Sequence, residues 1–415
     1  MSKQKKKGVK SEFDYKKFES LALSGLQKGQ GLVGDNGILK DLIKHLVESS
    51  LQGELDAHLS KEKEDGKSNR RNGSTSKRLR TQLGEVEIQP PRDRHGSFEP
   101  QLVGKWERSL QSGLDQQVLE LYSLGNSYLD IQTHLQSMYG VQMSVGQLSA
   151  ITDRVWTQIR QWQQRALKPF YMVVFLDAIH FKVREKGTVV SKAVYTVYGV
   201  DAEGNRDVLA IQVGREEGAK QWGRILEHLK DRGLQDVLFF CIDGLNGFKQ
   251  AILSVFPKST VQRCVVHMVR NDIRFADDKD VKPICKELRV IYTADDEKQG
   301  LSALEAFKGK WDKKYPEIGK AWTNNWIELT AFFGFNWAVR KLIYTTNPIE
   351  GLHRIMRRTT KTKAAFVSEE ALTKLLYLTL MKKEKVWKKR IHSANAVIRS
   401  MRREFEQRFE QHLDL

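Results

Sequence analysis

The strongest constraint on the fold is a change of hydrophobic periodicity at residue 170, where helical patterns are replaced by short apolar, β-branched runs. The strands that these runs predict cover 170–183, 193–201, 207–213, 237–242 and 260–266. Helices are predicted between the later strands, over 219–230 and 247–256. Three successive strands followed by alternating helices and strands predict an α/β domain with a mixed sheet.

Two of these apolar runs are interrupted or closed by an aspartate. Asp177 follows MVVFL, and Asp243 follows VLFFCI. A buried carboxylate at such a place is costly unless it is paired or bound to a metal. One such residue is most often a turn or a helix cap, and Asp243 before Gly244 permits that interpretation. Two of them at matching places on neighbouring strands favour a shared site.

A third acidic residue, Glu350, lies in TTNPIEGLHR, where a new helix is predicted to begin near residue 346. Asn347 is a strong N-cap and Pro348 suits the first helical position, so Glu350 occupies the capping-box position and a purely capping role is one interpretation. The residues that share its helix face are His353, Arg354 and Arg357. An acid flanked by a phosphate-binding face favours the other interpretation, a metal ligand in phosphoryl transfer.

Three carboxylates drawn from distant positions suit one chemistry in particular. Strand transfer at a phosphodiester is an in-line displacement on an anion, and two hard cations roughly 3.5–4 Å apart can activate the nucleophile and stabilise the leaving oxygen. Mg²⁺ prefers oxygen ligands, and Mn²⁺ is an expected substitute. We therefore expect Asp177, Asp243 and Glu350 to be both the catalytic residues and the Mg²⁺ ligands.

Charge points to a polyanionic partner. The formal net charge is +18 and the sequence pI is about 9.6, which favours nucleic acid. An anionic membrane is the weaker candidate, because no basic amphipathic helix lies beside an apolar anchor. Residues 351–403 contain fifteen Lys and Arg against three acids, including Arg358 and Lys361. Such a run is usually a solvated helical face, but its position directly after Glu350 favours a DNA-binding surface.

A second basic segment covers residues 67–80, KSNRRNGSTSKRLR. Its composition predicts a mobile basic loop that follows a phosphate backbone. The residues expected to contact double-stranded DNA there are Arg70, Arg71, Lys77, Arg78 and Arg80. The following LGEVEIQPP, residues 83–91, predicts a short edge strand stopped by its prolines.

The rest of the chain is predicted to be mainly helical. An amphipathic helix over 38–59 either forms a homodimer or packs on its own domain. Helices follow over 114–124 and 127–139, and a third begins at the N-cap Ser144 and runs through Ile159. These three helices are compatible with a helix-turn-helix or with a plain bundle. Residues 268–344 are helical in pattern without a convincing strand, which predicts an all-α insertion.

Five regions follow from these patterns: a basic and dimerisation region, a helical DNA-binding domain, the first part of the catalytic domain, the insertion, and the final catalytic helix with basic C-terminal helices. Their predicted bounds are 1–110, 111–168, 169–267, 268–344 and 345–415.

Cysteine usage and the N-terminus bear on the compartment. Cys241, Cys264 and Cys285 are few and odd in number, and no apolar stretch follows the basic N-terminus. We therefore expect a cytoplasmic, nucleoid-associated protein without a membrane anchor. Cys264 and His267 form a CxxH without a second pair, so a structural histidine near the carboxylates is favoured over zinc.

Five segments together resemble Mutator-type bacterial insertion-sequence transposases, over nearly the whole chain. They are RNGSTSKRLRTQLGEVEIQPPRDRHGSFEP, FLDAIHFKVR, CIDGLNGF, RCVVHMVRN and, most specific, IYTTNPIEGLHR. The order of strands and helices is likewise that of the RNase H-like fold.

The resemblance implies a DDE transposase, with the family's Asp-Asp-Glu set at Asp177, Asp243 and Glu350 and its Cys/Asp-x-x-His motif at Cys264 and His267. It further implies recognition of terminal inverted repeats, 3′-strand cleavage by water, attack of the freed 3′-OH on target DNA, and an excised circle. A catalytically silent DNA-binding derivative and a nuclease without joining activity are the alternatives, and the intact triad argues against the first.

Overall fold

The protein is described by a computed structural model that covers residues 14–32, 37–81, 84–105, 114–139, 141–215, 218–245, 247–344 and 347–413. The chain divides into two compact units, Met1–Arg154 and Val155–Leu415. This division falls inside the segment 111–168 that the sequence assigns to one helical domain. Within the described ranges, no helix is long and apolar enough to cross a membrane.

The first unit contains helices and two small antiparallel sheets. Its helices are α1 (Tyr15–Gln27), α2 (Lys40–Glu64), α3 (Leu114–Ser123), α4 (Tyr128–Tyr139) and α5 (Val145–Asp153). Its strands are β1 (Arg71–Ser74), β2 (Lys77–Thr81), β3 (Gly84–Ile88) and β4 (Pro91–Asp93). The sheets pair β1 with β4 and β2 with β3.

The predicted amphipathic helix is α2, and it packs on its own unit. Val47 and Leu51 from its apolar stripe are buried in one cluster with Leu79 of β2 and with Val86 and Ile88 of β3. Of the two interpretations of this stripe, packing within the domain is the one the structure supports. Of the hairpin that β2 and β3 form, the sequence predicts the second strand, within 83–91, but not β2, which lies in the segment interpreted as a loop.

The prediction of a mobile loop over 67–80 is wrong. The segment contributes β1 and β2, and Leu79 is fully buried while Lys77 pairs with Ile88 in the β2–β3 ladder. Leu79, Val86 and Ile88 hold β2 and β3 against α2, whereas β1 is exposed along its length. The predicted strand over 83–91 is present as β3, which ends at Ile88 before the prolines. Pro91 then begins β4 and pairs with Ser74.

The three predicted helices α3 to α5 pack against one another. Ser144 caps α5 with a complete capping box to Gln147, as expected for its N-cap. The prediction of one continuous helix through Ile159 is wrong: α5 ends at Asp153, and the N–H of Arg154 bonds to the carbonyl of Ile151, three residues back. The next helix belongs to the second unit.

The second unit contains a five-stranded sheet: β5 (Phe170–Glu185), β6 (Thr188–Asp201), β7 (Arg206–Gly214), β8 (Asp236–Ile242) and β9 (Thr260–Arg263). Its first helices are α6 (Val155–Gln164), α7 (Ala219–Asp231), α8 (Phe248–Val255) and α9 (Val265–Asp272). The later helices are α10 (Asp278–Tyr292), α11 (Glu297–Trp311), α12 (Pro316–Asn324), α13 (Trp326–Thr330), α14 (Trp337–Ile343), α15 (Asn347–Thr360), α16 (Glu369–Lys382), α17 (Glu384–Trp387), α18 (Ala394–Glu404) and α19 (Glu406–Leu413).

The strand order in this sheet is β7-β6-β5-β8-β9. The pairs β7–β6 and β6–β5 are antiparallel, whereas β5–β8 and β8–β9 are parallel. The predicted mixed α/β sheet is therefore confirmed. Its core lies between the sheet and α7 and α8, where Trp222, Phe240 and Phe248 are buried in one cluster.

One predicted strand is too long. β9 ends at Arg263, and residues 264–266 begin helix α9 instead, with the N–H of Cys264 bonded to the carbonyl of Ile242. Two adjacent valines suggested a strand, but helix α9 places His267 beside the strand ends. From α9 to α14 the described residues contain no strand, and their helices are accompanied by two short 3₁₀ turns, Ile273–Phe275 and Ala331–Gly334.

Candidate active site

The backbone pairing of β5 and β8 brings the first two acidic residues side by side. Leu176 pairs with Ile242 in the parallel ladder, so Asp177 and Asp243 follow at the same level on neighbouring strands. Glu350 comes from the first turn of α15. All three line one cleft of about 700 Å³, together with His267. Residues that are far apart in sequence thus face a common space.

Asp177 is held in a fixed orientation on β5. Its side chain is buried, with 8% of the residue exposed. Oδ1 accepts a hydrogen bond from the backbone N–H of Ala178 at 2.8 Å. Oδ2 lies 3.4 Å from Nδ1 of His353, a side chain that is itself 3% exposed. His353 therefore faces Asp177 from α15 and supports it, an arrangement that suits positioning of the carboxylate better than contact with a DNA phosphate.

The carboxylate of Asp243 lacks a full set of hydrogen-bond partners among the described residues. Its Oδ1 is buried and has no hydrogen-bond partner among the described residues. Burial and the neighbouring carboxylate of Asp177 raise the pKa of Asp243, with an opposing effect from His267. A carboxylate in this state is stabilised by a positive charge placed between it and Asp177.

Glu350 is engaged by two groups of helix α9. Nη1 of Arg270 lies 2.5 Å from Oε1 and Nη2 lies 3.5 Å from Oε2. Nε2 of His267 lies 3.2 Å from the same Oε1. The carboxylate of Glu350 thus faces across the cleft. The two residues before the helix and the side chain of Asn347 lie outside the described residues, as does any contact that Asn347 makes as a cap.

His267 lies near the carboxylates, as the sequence indicated, but on a helix. Interaction with Cys264, followed by the proximity of Asp177 and Asp243, raises its pKa to about 9 against the opposing effect of burial. Cys264 is buried just before α9.

Arginines surround the carboxylates. Four of them line the cleft: Arg270, Arg274, Arg354 and Arg357. The first two were missed by the sequence analysis, although RCVVHMVRN places Arg270 three residues after His267 on the same helix face. The predicted Arg358 and Lys361 are exposed but do not line the cleft. The cleft combines acidic ligands with a basic wall, which suits a metal-dependent reaction on a polyanion.

Comparison with known proteins identifies the family. The sequence matches the family model described as "Transposase, Mutator family" over residues 16–390. The chain belongs to the Mutator family of transposases. It is 42% identical over 358 residues to a probable transposase for insertion sequence element ISRM3-like of Sinorhizobium fredii, which covers 86% of this chain and 89% of that protein. The identity and coverage are the same for the transposase for insertion sequence element ISRM3 of Rhizobium meliloti.

A solved structure also matches this transposase-family chain, the Drosophila P element transposase strand transfer complex. It covers 72% of this chain and 86% of that chain, at 10% identity and a TM-score of 0.28. So slight a likeness carries no argument about the fold. Membership of the Mutator family implies DNA transposition, with DNA as the substrate and a general dependence on divalent metal.

The predicted DNA-binding residues of the first unit differ in their surroundings. Arg70 and Arg78 are not buried, and Arg78 is exposed on β2. Arg71 is paired with Asp56 of α2. Nζ of Lys77 donates to the carbonyl of Gly104 at 2.7 Å. The side chain of Arg80 lies outside the described residues.

The first unit of this transposase-family chain also contains a compact polar cluster. His58, Glu62 and Asp93 place one ligand atom each within 4.8 Å of one another, as a metal site would. Nδ2 of Asn69, however, donates to Glu62 at 2.5 Å and to Asp93 at 2.7 Å. Oγ of Ser97 lies 3.1 Å from Glu62 and 2.9 Å from Asp93, and its one proton is donated to one of these two carboxylates.

These hydrogen bonds explain the cluster without an ion. Burial opposes ionisation of Asp93, but hydrogen bonds from Asn69, Ser97 and the N–H of Phe98 outweigh it and hold the pKa of Asp93 well below its usual range. Oδ1 of Asn69 in turn accepts from the N–H of Arg70. The cluster therefore acts as a clamp between α2 and the basic segment.

Proposed function

We propose that this chain is an active insertion-sequence transposase that binds terminal inverted repeats and catalyses Mg²⁺-dependent 3′-strand cleavage and strand transfer. The observation that carries the proposal is the shared cleft of Asp177, Asp243 and Glu350, with arginines on its wall. Family membership supplies the reaction class. The cleft supplies residues that suit it, as the three catalytic carboxylates of a DDE enzyme.

We assign the sheet of the second unit to the RNase H-like fold. Three antiparallel strands, β7-β6-β5, continue into two parallel ones, β8 and β9, with Asp177 on the central strand. The helices between α9 and α15 then stand as an insertion before the last catalytic helix. This assignment rests on strand order and direction alone.

The cleft fits a divalent cation by its own chemistry. Asp243 has a buried oxygen without a donor, and Asp177 lies beside it with a second carboxylate. Hard oxygen donors of this kind suit Mg²⁺, and Mn²⁺ is expected to substitute. We propose Asp177, Asp243 and Glu350 as the residues that hold it. When bound, such ions neutralise charge on the phosphate and lower the pKa of a coordinated water or hydroxyl.

Three side chains of α15 have separate roles beside the carboxylates. His353 holds Asp177 in orientation through the contact at Oδ2. Arg354 and Arg357 bind phosphate oxygens of the strand that enters the cleft. In the first step the P–O3′ bond at the element end breaks and water adds to the phosphorus. In the second step the freed 3′-OH attacks a target phosphate and releases the 3′-OH of the target strand.

DNA outside the cleft is expected to contact two basic surfaces. One contains Arg358, Lys361 and the following C-terminal residues, although Lys374 of that stretch is buried and contributes no surface charge. The other includes Arg70 and Arg78 of the first unit. We further propose that two copies act together, because an element has two ends and each copy contributes its own cleft.

Incubation of the full chain with Mg²⁺ and labelled ends of its own element tests the proposal. Nicks that map to the 3′ ends and joined products from pre-cleaved ends are expected, and EDTA should abolish both. Asp243→Asn should remove both reactions, while Asp231→Asn, at the end of α7, should not. Cleavage without joining would instead indicate a nuclease. DNA binding without either reaction would indicate a silent derivative.

A further inference from the structure

The three acidic residues of the cleft differ in how their charges are met. Among the described residues, Arg270 is within ion-pair distance of Glu350, whereas no Lys or Arg is within that distance of Asp177 or Asp243. Glu350 is therefore paired with an arginine of the protein, whereas Asp177 and Asp243 have no such pair among the described residues. This asymmetry needs an explanation in a site that binds metal.

The ion pair between Arg270 and Glu350 is open to solvent, so either partner can be exchanged for another ion. The side chain of Arg270 is 53% exposed and that of Glu350 is 21% exposed. Ion pairs with this much solvent contact contribute little to stability, because water and salt compete with them. Arg270 approaches with both terminal nitrogens of its guanidinium, the geometry that also suits a phosphate. The backbone of Arg270 is fixed on α9, and His267 of the same helix contacts the same carboxylate.

We propose that Arg270 is an exchangeable counter-ion that couples metal binding to DNA binding. The inference rests on the proposed metal-binding role of Glu350. Without metal, Arg270 holds Glu350 across the cleft. When Glu350 turns to a divalent cation, the guanidinium of Arg270 is released and binds a phosphate oxygen of the DNA in the same cleft. Metal and DNA then favour each other, since each stabilises the state in which Arg270 and Glu350 are apart.

The proposal predicts opposite effects of one substitution on two ligands. Arg270→Gln removes the competitor for Glu350, so Mn²⁺ should bind the free protein more tightly, by up to about fivefold, the upper limit for an exposed pair. The same variant should bind DNA more weakly in the presence of a divalent cation, because the released contact is lost. Loss of an arginine that only adds positive charge to the cleft would change the Mn²⁺ affinity and the DNA affinity by smaller factors.

Arg274 provides the matched control. It lines the same cleft from the turn that follows α9, and no ion pair of its side chain is present among the described residues. Arg274→Gln should change Mn²⁺ affinity by less than about twofold, the long-range effect of one exposed charge. Arg270→Lys, which keeps the charge but not the paired nitrogens, should lie between wild type and Arg270→Gln.

The first measurement is a Mn²⁺ titration followed by electron paramagnetic resonance at fixed ionic strength, on the full chain and the variants. The expected result is tighter binding in Arg270→Gln and no further tightening when Arg270→Gln is added to Glu350→Gln. Equal affinity in wild type, Arg270→Gln and Arg274→Gln overturns the inference while the metal site stands. Mn²⁺ binding that is unchanged in Asp243→Asn overturns the metal site itself, and the inference with it.

The second measurement is the salt dependence of binding to a labelled random-sequence duplex, with Ca²⁺ or with EDTA. For wild type and Arg274→Gln, the slope of log K against log salt should become steeper by about 0.9 in Ca²⁺, the value for one added phosphate contact. Arg270→Gln should show no such increase. A full increase in Arg270→Gln would show that Arg270 is not the group released, and would overturn the coupling.

Discussion

Replacement of Glu350 by glutamine separates its two interpretations, a helix cap or a metal ligand. The substitution keeps the size and removes the charge, so in the structure it weakens the contacts to Arg270 and His267. The pair with Arg270 is half-exposed on the arginine side, and its loss costs at most about 1 kcal/mol. For a domain of roughly 250 residues this shifts the melting temperature by about 2–4 °C.

Activity should respond far more strongly than stability. If Glu350 holds a divalent cation, Gln supplies no negative charge, and a loss of about 4 kcal/mol in transition-state stabilisation corresponds to about 10³-fold in rate. The assay is thermal melting and strand-transfer yield on one preparation, with pre-cleaved element ends. Glu287→Gln is the matched control, because Glu287 also pairs with a basic residue, Lys310, and lies outside the cleft.

The two interpretations predict different pairs of results. A metal ligand gives a small shift in melting and a collapse of strand transfer for Glu350→Gln only. A cap gives a near-silent variant, since Gln also serves at the capping-box position. A folded Glu350→Gln protein that joins ends within about threefold of wild type would refute the metal assignment and leave the third carboxylate unidentified.

Three further predictions concern the charge and the buried polar groups. DNA binding should weaken steeply with salt, by a slope of about −0.9 for each phosphate neutralised, and a nearly flat plot would contradict the basic surfaces. Burial raises the pKa of Asp272 to about 7, so the folded carboxyl keeps a proton that the unfolded chain loses above about pH 4. Wild type should therefore lose stability as pH rises from about 4 to 7, and Asp272→Asn should gain up to about 4 kcal/mol relative to it. The check is the melting temperature of both proteins at pH 5 and at pH 8. The same change in melting temperature between the two pH values in both proteins would argue against this assignment. Asn69→Ala should cost about 1–3 kcal/mol by leaving the buried carboxylate of Asp93 short of a donor, and an unchanged denaturation midpoint would dismiss the clamp.

The sequence predicted those parts of the site that depend on local pattern. Asp177 and Asp243 stand out because each follows an unbroken apolar run, and that run is what makes a buried strand. The bounds of β8 also agree closely, since the pattern predicts 237–242 and the strand covers Asp236–Ile242. Ser144 was found as a cap because capping depends on residues three positions apart.

Features that depend on contacts between distant segments could not be predicted in this way. The partner of Arg270 lies 80 positions further along the chain, and no local pattern connects them. The strand β2 was hidden because four of the five residues in KRLRT are polar, and only the packing of Leu79 under α2 selects a strand. The valines after Cys264 have high strand propensity, yet the sheet ends at Arg263 and the chain turns into α9.

The site tolerates changes of chain length very unequally. Asp177 is fixed by the register of β5, so one residue inserted before it in that strand would turn its side chain to the opposite face of the sheet. Glu350, by contrast, lies 107 positions after Asp243, along a connection that is mostly helical but includes strand β9. The entropy of closing such a connection grows only logarithmically, by about 0.6 kcal/mol for each doubling of its length. Helices after α9 and before α15 can therefore be gained or lost at little entropic cost, whereas β5 cannot change by a single residue before Asp177.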